Sequence, residues 1–241
     1  MIVKIGGVGE ACNIAGIISS SADIVGLDFR SGAPNHIRMV SSGSGLMPDS
    51  VRKFFSLGAG QACRGAGQKW PALCGEFEDS MFQDIVTRIY VYKLSSVQLC
   101  GGESPVMVEN LKRTVDPDIR PGLKVLKTLC VSSRADLAKC RDYCGIVDMF
   151  VFNLGSAFNV HTGSLPLESL FSAYDVPVPF LLGGEAAIDG WQRLGGIGHG
   201  MFAGIDVACS CENQWTGKSA EDIGAFVRSA KNVGANKQFV K

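Results

Sequence analysis

The 241-residue sequence has no net charge, no long apolar run and few charged residues. Lys and Arg together number 23, as do Asp and Glu, and charged residues make up 19% of the chain. This balance predicts no nucleic-acid or anionic-membrane partner, because such partners select clustered positive charge. No stretch approaches the roughly 20 apolar residues that span a bilayer. The opening apolar run, Ile2–Ile5, is too short for a signal peptide, so we expect a cytoplasmic protein.

The sequence also lacks the cysteine spacing of a metal site or a disulfide framework. Its nine cysteines are an odd number and are scattered along the chain. Cys140 and Cys144 lie four residues apart, and Cys209 and Cys211 two apart, but neither pair has a second pair or a histidine at zinc spacing. We expect reduced thiols that act mainly as small buried apolar side chains, and no bound metal.

What the sequence does contain is an alternation of short apolar, β-branched segments with segments of helical period. Such alternation predicts parallel strands joined by helical crossovers, and eight units in one chain of this length favour closure into a barrel. The predicted fold class is α/β, a single (β/α)8 barrel over residues 1–241, with an open doubly wound sheet as the alternative. The predicted strands are Ile2–Ile5, Ile24–Phe29, a segment within Trp70–Phe77, Val97–Leu99, Lys124–Val131, Met149–Phe152, Phe180–Leu182 and Gly204–Ala208.

Residues 30–68 interrupt this alternation. They are rich in Gly, Ser and Pro, with a short helical patch around Val51–Leu57. A connection of this length is more often a functional loop than a passive tie. We expect it to form a lid over the mouth of the barrel.

Capping residues predict where several helices begin. Ser104 and Pro105 form an N-cap and N1 pair, and Ser133 with Asp136 resembles a capping box for a helix through Cys144. The last helix is predicted to start at Ser219 with Asp222, and its apolar stripe consists of Ile223, Phe226, Val227 and Ala230.

In a barrel of this class the functional site lies at the carboxyl ends of the strands. The glycines 183 and 184 and the loop around Cys209 and Ser210 follow the seventh and eighth strands, where backbone N–H groups commonly bind phosphate. A tight turn without a ligand is the alternative interpretation. The residues predicted at strand ends are Gly6, Asp28, Asn35, Cys100, Asn153, Gly183, Gly184, Asp206, Cys209 and Ser210.

Five segments near these strand ends carry recognisable motifs. Val3–Gly7 is similar to K-[IV]-C-G, Ala22–Phe29 to A-D-x-x-G-F-x-F, Val97–Glu103 to V-Q-L-H-G-x-E, Phe180–Gly184 to an L-A-G-G turn, and Gly204–Val207 with Glu212 to G-[IV]-D-[VL]-x-S-x-x-E. Taken in order along the chain, these segments resemble the phosphoribosylanthranilate isomerase family of tryptophan biosynthesis.

The resemblance implies an Amadori rearrangement of phosphoribosylanthranilate, an aldose–ketose isomerisation. In the family a general acid protonates the ribose ring oxygen and a general base removes the C2′ proton. The base is a cysteine after the first strand, the acid an aspartate after the sixth, and an arginine in an S-P-R turn after the second holds the anthranilate. No cofactor is implied, because the nitrogen of the substrate acts as the electron sink.

The positions that carry this chemistry are substituted here. Gly6 stands at the base position, Asn153 at the acid position and Asn35 at the arginine position, while Cys100 replaces the histidine of V-Q-L-H-G. A general acid or base contributes about 10²–10⁴-fold to a rate, so we expect isomerase activity to be absent or strongly weakened, as in a pseudoenzyme. The combined changes Gly6→Cys, Asn153→Asp and Asn35→Arg are expected to recover some activity.

The resemblance also implies substrate contacts at Asn35, Cys100 and Asp206, and phosphate contacts at the two glycines, Cys209 and Ser210. Two alternatives stay open at this point. One is an active isomerase that uses displaced residues such as Asp28, Cys100 or His161. The other is a non-catalytic barrel that binds a sugar phosphate or a protein partner. The expected ligand is a small phosphoribosyl compound, and the expected assembly is a monomer or a homodimer.

Overall fold

A computed structural model gives the fold of the chain. It describes residues 1–9, 14–38, 40–42, 45–47, 70–154, 167–184, 197–209 and 220–235. The remaining residues, among them His161, Ser210, Ser219 and the predicted helical patch Val51–Leu57, lie outside the described residues.

Eight parallel strands close into a barrel, which confirms the predicted fold class. Around the barrel each strand pairs with the next in the order β1-β10-β9-β8-β7-β6-β5-β2. The barrel strands are β1 Ile2–Val8, β2 Ile24–Asp28, β5 Ala72–Phe77, β6 Ser96–Leu99, β7 Lys124–Val131, β8 Met149–Leu154, β9 Phe180–Gly183 and β10 Phe202–Ala208.

The helices of the described residues follow the strands that the sequence predicted to precede them. Ser104 accepts a hydrogen bond from the backbone N–H of Met107 and caps the third helix, as predicted. The α-helices are α1 Ile14–Ser19, α2 Phe82–Tyr92, α3 Pro105–Val115, α4 Leu167–Phe171 and α5 Ala220–Ala235.

Two local features differ from the sequence prediction. The segment Arg134–Tyr143 is a 3₁₀ helix, although Asp136 accepts from the backbone N–H of Ser133 as the capping box predicted. The region predicted as a loop contains a short antiparallel hairpin, β3 Val40–Ser42 with β4 Gly45–Met47. Each strand of the hairpin has only three residues, which is too short for an alternating pattern to mark it in the sequence.

Several strands also run further than predicted, and this matters for the site. Gly6 lies inside β1 and pairs with Ala208, while Asn153 lies inside β8 and pairs with Gly183. Both were predicted to follow their strands. Because strand pairing fixes their backbones on the last rungs of the ladder, these positions belong to the rigid barrel and not to loops.

The interior of the barrel changes from apolar to polar along its axis. Leu126, Val151 and Leu181 form a small apolar cluster inside the barrel, separate from the main core between strands and helices. Side chains two residues further along a strand point to the same face, so Thr128 and Asn153 continue this inner surface towards the carboxyl ends of the strands. The polar inner layer above the cluster is where the predicted site residues converge.

Candidate functional site

A buried ion cluster fills the polar layer of the barrel. Lys4 of β1 donates from Nζ to Glu76 Oε1 of β5 and, at 2.8 Å, to Asp206 Oδ1 of β10. The Lys4 side chain is fully buried. Gln98 Nε2 of β6 lies 3.3 Å from Asp206 Oδ2 and donates to Thr128 Oγ1 at 3.0 Å. Five strands of the barrel are thus joined through side chains in its interior.

Two further charges border this cluster at the mouth. Arg30 donates from Nη2 to Asp28 Oδ2 at 2.8 Å and from Nε to Asp28 Oδ1 at 2.9 Å. The same Nη2 is 3.9 Å from Glu76 Oε2. With every group ionised, the site would hold two cations, Lys4 and Arg30, and three carboxylates.

This excess of carboxylates separates the pKa values of the two that share Lys4. Burial alone would raise the pKa of Glu76, but attraction to Lys4 and Arg30 outweighs burial, and the pKa lies below its usual range. Burial raises the pKa of Asp206; Lys4 opposes the rise and the charge of Glu76 adds to it, so the pKa stays above its usual range. Glu76 is therefore the ionised partner of Lys4, and Asp206 is the carboxyl that takes a proton more readily.

Gly6, at the predicted base position, faces this cluster directly. A Cβ placed on Gly6 would lie 2.5 Å from Glu76 Oε1 and 2.7 Å from Lys4 Nζ. Real Cβ atoms do not approach other atoms so closely, so the space in which a side chain at position 6 would begin is already filled. The predicted base position therefore has no titratable side chain, and the neighbouring side chains fill the space that such a side chain would need.

Asn153, at the predicted acid position, lies at the mouth beside the glycine turn after β9. Its side chain is exposed, and its Oδ1 occupies the space that a Cβ on Gly184 would need. Gly184 has a φ of +89°, a conformation that glycine adopts at little cost. The predicted acid position and the predicted phosphate turn, Gly183 and Gly184, are therefore neighbours in space.

Asn35, at the predicted arginine position, is buried against the backbone at the carboxyl ends of β1 and β10. Its side-chain nitrogen donates to the carbonyls of Gly7 at 2.9 Å and Cys209 at 2.5 Å, and the residue is 4% exposed. The amide therefore connects the end of β1 to the residue that follows β10. The predicted substrate contact at Asn35 stays a prediction, but this geometry supports a structural role.

Cys100 lies at the mouth, beyond the end of β6. Thr128 Oγ1 is 3.5 Å from its sulfur, and burial raises the pKa of the thiol to about 12, with the charge of Glu76 adding to the rise. The thiol is therefore protonated at neutral pH and is a poor nucleophile or base. The substrate contact predicted for it remains untested.

A second buried ion pair holds the loop that carries Cys100. Lys127 Nζ donates to Glu103 Oε2 at 2.9 Å and to the carbonyl of Gly101 at 2.6 Å. Glu103 Oε1 accepts from the backbone N–H groups of Asp79 and Gly101. This pair fixes the loop after β6 against β7 and lies outside the Lys4 cluster.

The described residues were compared with the requirements of a metal site and of a membrane-spanning helix. Within the described ranges, no group of three or more His, Cys, Asp or Glu side chains is arranged to hold a metal ion. In the same part of the chain, no helix combines the length and apolar character needed to cross a bilayer.

Comparison with known proteins shows what the chain resembles. No family model matches the sequence. The chain is 25% identical over 231 residues to the N-(5′-phosphoribosyl)anthranilate isomerase of Phocaeicola vulgatus, covering 96% of this chain and 98% of the relative. It is 27% identical over 233 residues to the same enzyme of Rhodopseudomonas palustris strain BisA53, covering 95% of each. Along almost its whole length the chain is therefore similar to phosphoribosylanthranilate isomerases.

A solved structure of a phosphoribosylanthranilate isomerase shares the fold. The crystal structure of that isomerase in complex with reduced 1-(o-carboxyphenylamino)-1-deoxyribulose 5-phosphate superposes with a TM-score of 0.66 at 18% identity, covering 96% of this chain and 100% of the other. The predicted fold is thereby confirmed, and the resemblance inferred from the motifs agrees with the names of the relatives.

Sequence reasoning missed the residue that makes the most contacts in the candidate site. Glu76 was not among the predicted site residues, yet it contacts Lys4 and Gly7 and fills the space beside Gly6. One signal was available, since an acidic residue near the end of a barrel strand, Ala72–Phe77, is unusual for a buried segment. Cys209 is buried at the end of β10, and Ser210, the other predicted phosphate contact, lies outside the described residues.

Proposed function

We propose that this member of the phosphoribosylanthranilate isomerase family binds a phosphoribosyl ligand at the barrel mouth and has lost, or strongly weakened, the isomerase reaction. The observation that carries the proposal is the pair Gly6 and Asn153. They pair with Ala208 and Gly183 near the carboxyl ends of β1 and β8. The resemblance assigns the base and the acid to these two positions, and neither residue can transfer a proton at neutral pH.

The reaction requires both proton transfers. A base must remove the C2′ proton after an acid has opened the ribose ring, and each group contributes about 10²–10⁴-fold. Loss of both therefore removes roughly 10⁴–10⁸-fold of the rate if the two effects are independent. The arginine that holds the anthranilate is absent as well, since Asn35 takes its place.

The residues that could replace the missing base and acid already take part in other interactions or stay protonated. Asp28 is 1% exposed and accepts two hydrogen bonds from Arg30. The Cys100 thiol has a pKa of about 12. Glu76 is ionised, but its carboxylate accepts from Lys4 and from the N–H of Gly7, which makes it a weak base. These commitments favour the inactive barrel over an isomerase with displaced residues.

Retained ligand binding is supported by the turn after β9. Gly184 has a φ of +89°, a backbone conformation found in turns that bind anions through N–H groups, and the neighbouring residue Gly183 pairs with Asn153 in the sheet. We infer that this turn takes the phosphate of a small phosphoribosyl ligand and that no cofactor takes part. A cytoplasmic location and a monomeric or homodimeric assembly stay predictions.

The test combines turnover with binding on the full chain. Phosphoribosylanthranilate is fluorescent, so turnover would appear as loss of its fluorescence. Binding of the reduced product analogue, reduced 1-(o-carboxyphenylamino)-1-deoxyribulose 5-phosphate, is measured by calorimetry. The proposal expects binding without turnover. Turnover at a rate like that of an ordinary family member would overturn the proposal. If neither turnover nor binding of the analogue is observed, the claim that the barrel binds a phosphoribosyl ligand is wrong.

A matched pair of glycine variants locates the ligand. Gly184→Ala and Gly122→Ala each place a side chain at a positive φ, +89° and +72°, but a Cβ on Gly122 meets open space far from the mouth. We expect Gly184→Ala to weaken analogue binding and Gly122→Ala to leave it unchanged. Equal effects would mean that the turn after β9 does not hold the ligand.

A further inference from the structure

Glu76 reaches across the interior from the third barrel strand to the end of the first. Its Oε1 accepts from Lys4 Nζ, and its Oε2 accepts from the backbone N–H of Gly7 at 2.9 Å and lies 3.9 Å from Arg30 Nη2. The residue is 4% exposed. A buried carboxylate with donors on both oxygens is held in one position.

Two glycines make room for this carboxylate. A Cβ on Gly6 or on Gly26 would meet Glu76 Oε1 at less than the distance that real Cβ atoms keep. Among the described glycines a positive φ occurs at Gly7, Gly122, Gly145 and Gly184, and not at Gly6 or Gly26. The backbone at positions 6 and 26 therefore does not itself require glycine, and the Glu76 carboxylate, together with the Lys4 Nζ that it holds, takes the space of a side chain there.

We propose that the Glu76 carboxylate fills the space in which a side chain at the family's base position would lie. Gly6 and Gly26 leave this space open because they have no side chains, and we call these two glycines the seat of Glu76. A side chain at position 6 and the Glu76 carboxylate then exclude each other. This changes the expectation for the combined restoration of base, acid and arginine. A Cβ introduced by Gly6→Cys would lie too close to Glu76 Oε1 and Lys4 Nζ, so a thiol at position 6 requires the Glu76–Lys4 pair to move. The proposal rests on the proposed function only in naming position 6 as the base position.

The charge balance predicts that the barrel tolerates removal of Glu76. Lys4 keeps Asp206 as a partner at 2.8 Å, and Arg30 keeps Asp28. Two cations then face two carboxylates, so no charge is left without a counter-charge. We therefore expect the fold to tolerate Glu76→Ala.

A double-mutant cycle on the full chain tests the seat. Gly6→Ala, Glu76→Ala and the double variant are compared with the wild type by thermal unfolding. In the wild-type background, Gly6→Ala is expected to lower the unfolding midpoint by about 5 °C, because it overpacks the interior. In the Glu76→Ala background the same change should cost less than about 2 °C. Gly32→Ala is the control, since a Cβ there meets nothing within 4 Å.

Each outcome decides for or against the seat. A double variant that folds when Gly6→Ala alone does not would support it, and so would the same coupling at Gly26→Ala. Equal losses in both backgrounds, failure of Gly6→Ala to fold in either, or failure of Glu76→Ala to fold would overturn it. Because the readout is stability, the result stands whether or not the wild type turns over phosphoribosylanthranilate, so failure of the seat and failure of the proposed function are distinguishable.

Discussion

Arg30 and Asp28 form a two-point ion pair at the mouth, with Nε and Nη2 of the guanidinium on the two carboxylate oxygens at 2.9 and 2.8 Å. Arg30 follows β2 and precedes Asn35, which is predicted to stand at the position of the anthranilate-binding arginine. The Arg30 charge is paired with that of Asp28, which is 1% exposed. The mouth therefore has a cation close to the predicted arginine position, but a carboxylate of the protein already neutralises it.

The ion pair predicts that the effects of substituting Arg30 and Asp28 on the free energy of unfolding are not additive. Arg30→Gln leaves the buried Asp28 carboxylate without its partner and is expected to lower the free energy of unfolding by about 2 kcal/mol, less than for a fully buried pair because the Arg30 side chain is 30% exposed. Adding Asp28→Asn should recover most of that loss. Denaturant unfolding of the two single variants and the double variant measures the coupling, and additive losses would contradict it.

Asn35 is expected to act on stability. Asn35→Ala removes two hydrogen bonds to backbone carbonyls, those of Gly7 and Cys209, and should cost about 2 kcal/mol. Asn35→Arg, which restores the family residue, should cost at least as much, because a guanidinium does not fit a site that is 4% exposed. Urea unfolding measures both. An Asn35→Arg variant as stable as the wild type would show that the side chain can turn to the mouth.

The raised pKa of Asp206 predicts that the free energy of unfolding falls as the pH rises. Burial raises its pKa in the folded protein, whereas in the unfolded chain an Asp titrates near 3.9. Between those two values the folded state keeps a proton that the unfolded state has released, so the free energy of unfolding decreases with pH across this window. The lowered pKa of Glu76 acts in the opposite sense, but below about pH 4.3.

Asp206→Asn should therefore flatten that part of the pH profile, since an amide does not titrate. Chemical denaturation at a series of pH values from 4 upward, on wild type and variant, makes the comparison. The same slope in both proteins would mean that Asp206 is ionised in the folded state.

The cysteines predict a pattern of alkylation. Cys130 and Cys144 are exposed and should react with iodoacetamide in the native protein, whereas Cys100 should not, because burial raises its pKa to about 12. Mass spectrometry after labelling at pH 7.5 identifies the modified sites, and labelling in urea is the control for intrinsic reactivity. Rapid native labelling of Cys100 would contradict the account of a closed, protonated thiol.

The barrel could be predicted from the sequence because the alternation of apolar strand segments with helical segments is repeated along the chain. Strand segments such as Lys124–Val131 matched the structure to the residue, since apolar β-branched residues mark a strand buried on both faces. Strand ends were less certain. Gly6 and Gly7 in β1 and Asn153 in β8 have little strand propensity, so pairing with neighbouring strands decided the conformation of these segments.

The site could be predicted only as positions along the chain. The motifs located Gly6, Asn153 and Asn35, but they could not show that Asn35 is buried against the backbone or that Glu76 fills the space beside Gly6. Those facts depend on contacts between residues 28 to 174 positions apart. An alternating pattern reports which face a side chain takes and carries no information on what it meets across the barrel.

The most direct test of the central claim is a reaction with protein in excess over phosphoribosylanthranilate, followed by its fluorescence. The account predicts that the fluorescence decays no faster than in buffer, or slower by several orders of magnitude than with an equal amount of the Phocaeicola vulgatus isomerase. Decay at a rate comparable to that of the Phocaeicola enzyme would contradict it, because Gly6 and Asn153 would then stand in an active site whose acid and base lie elsewhere.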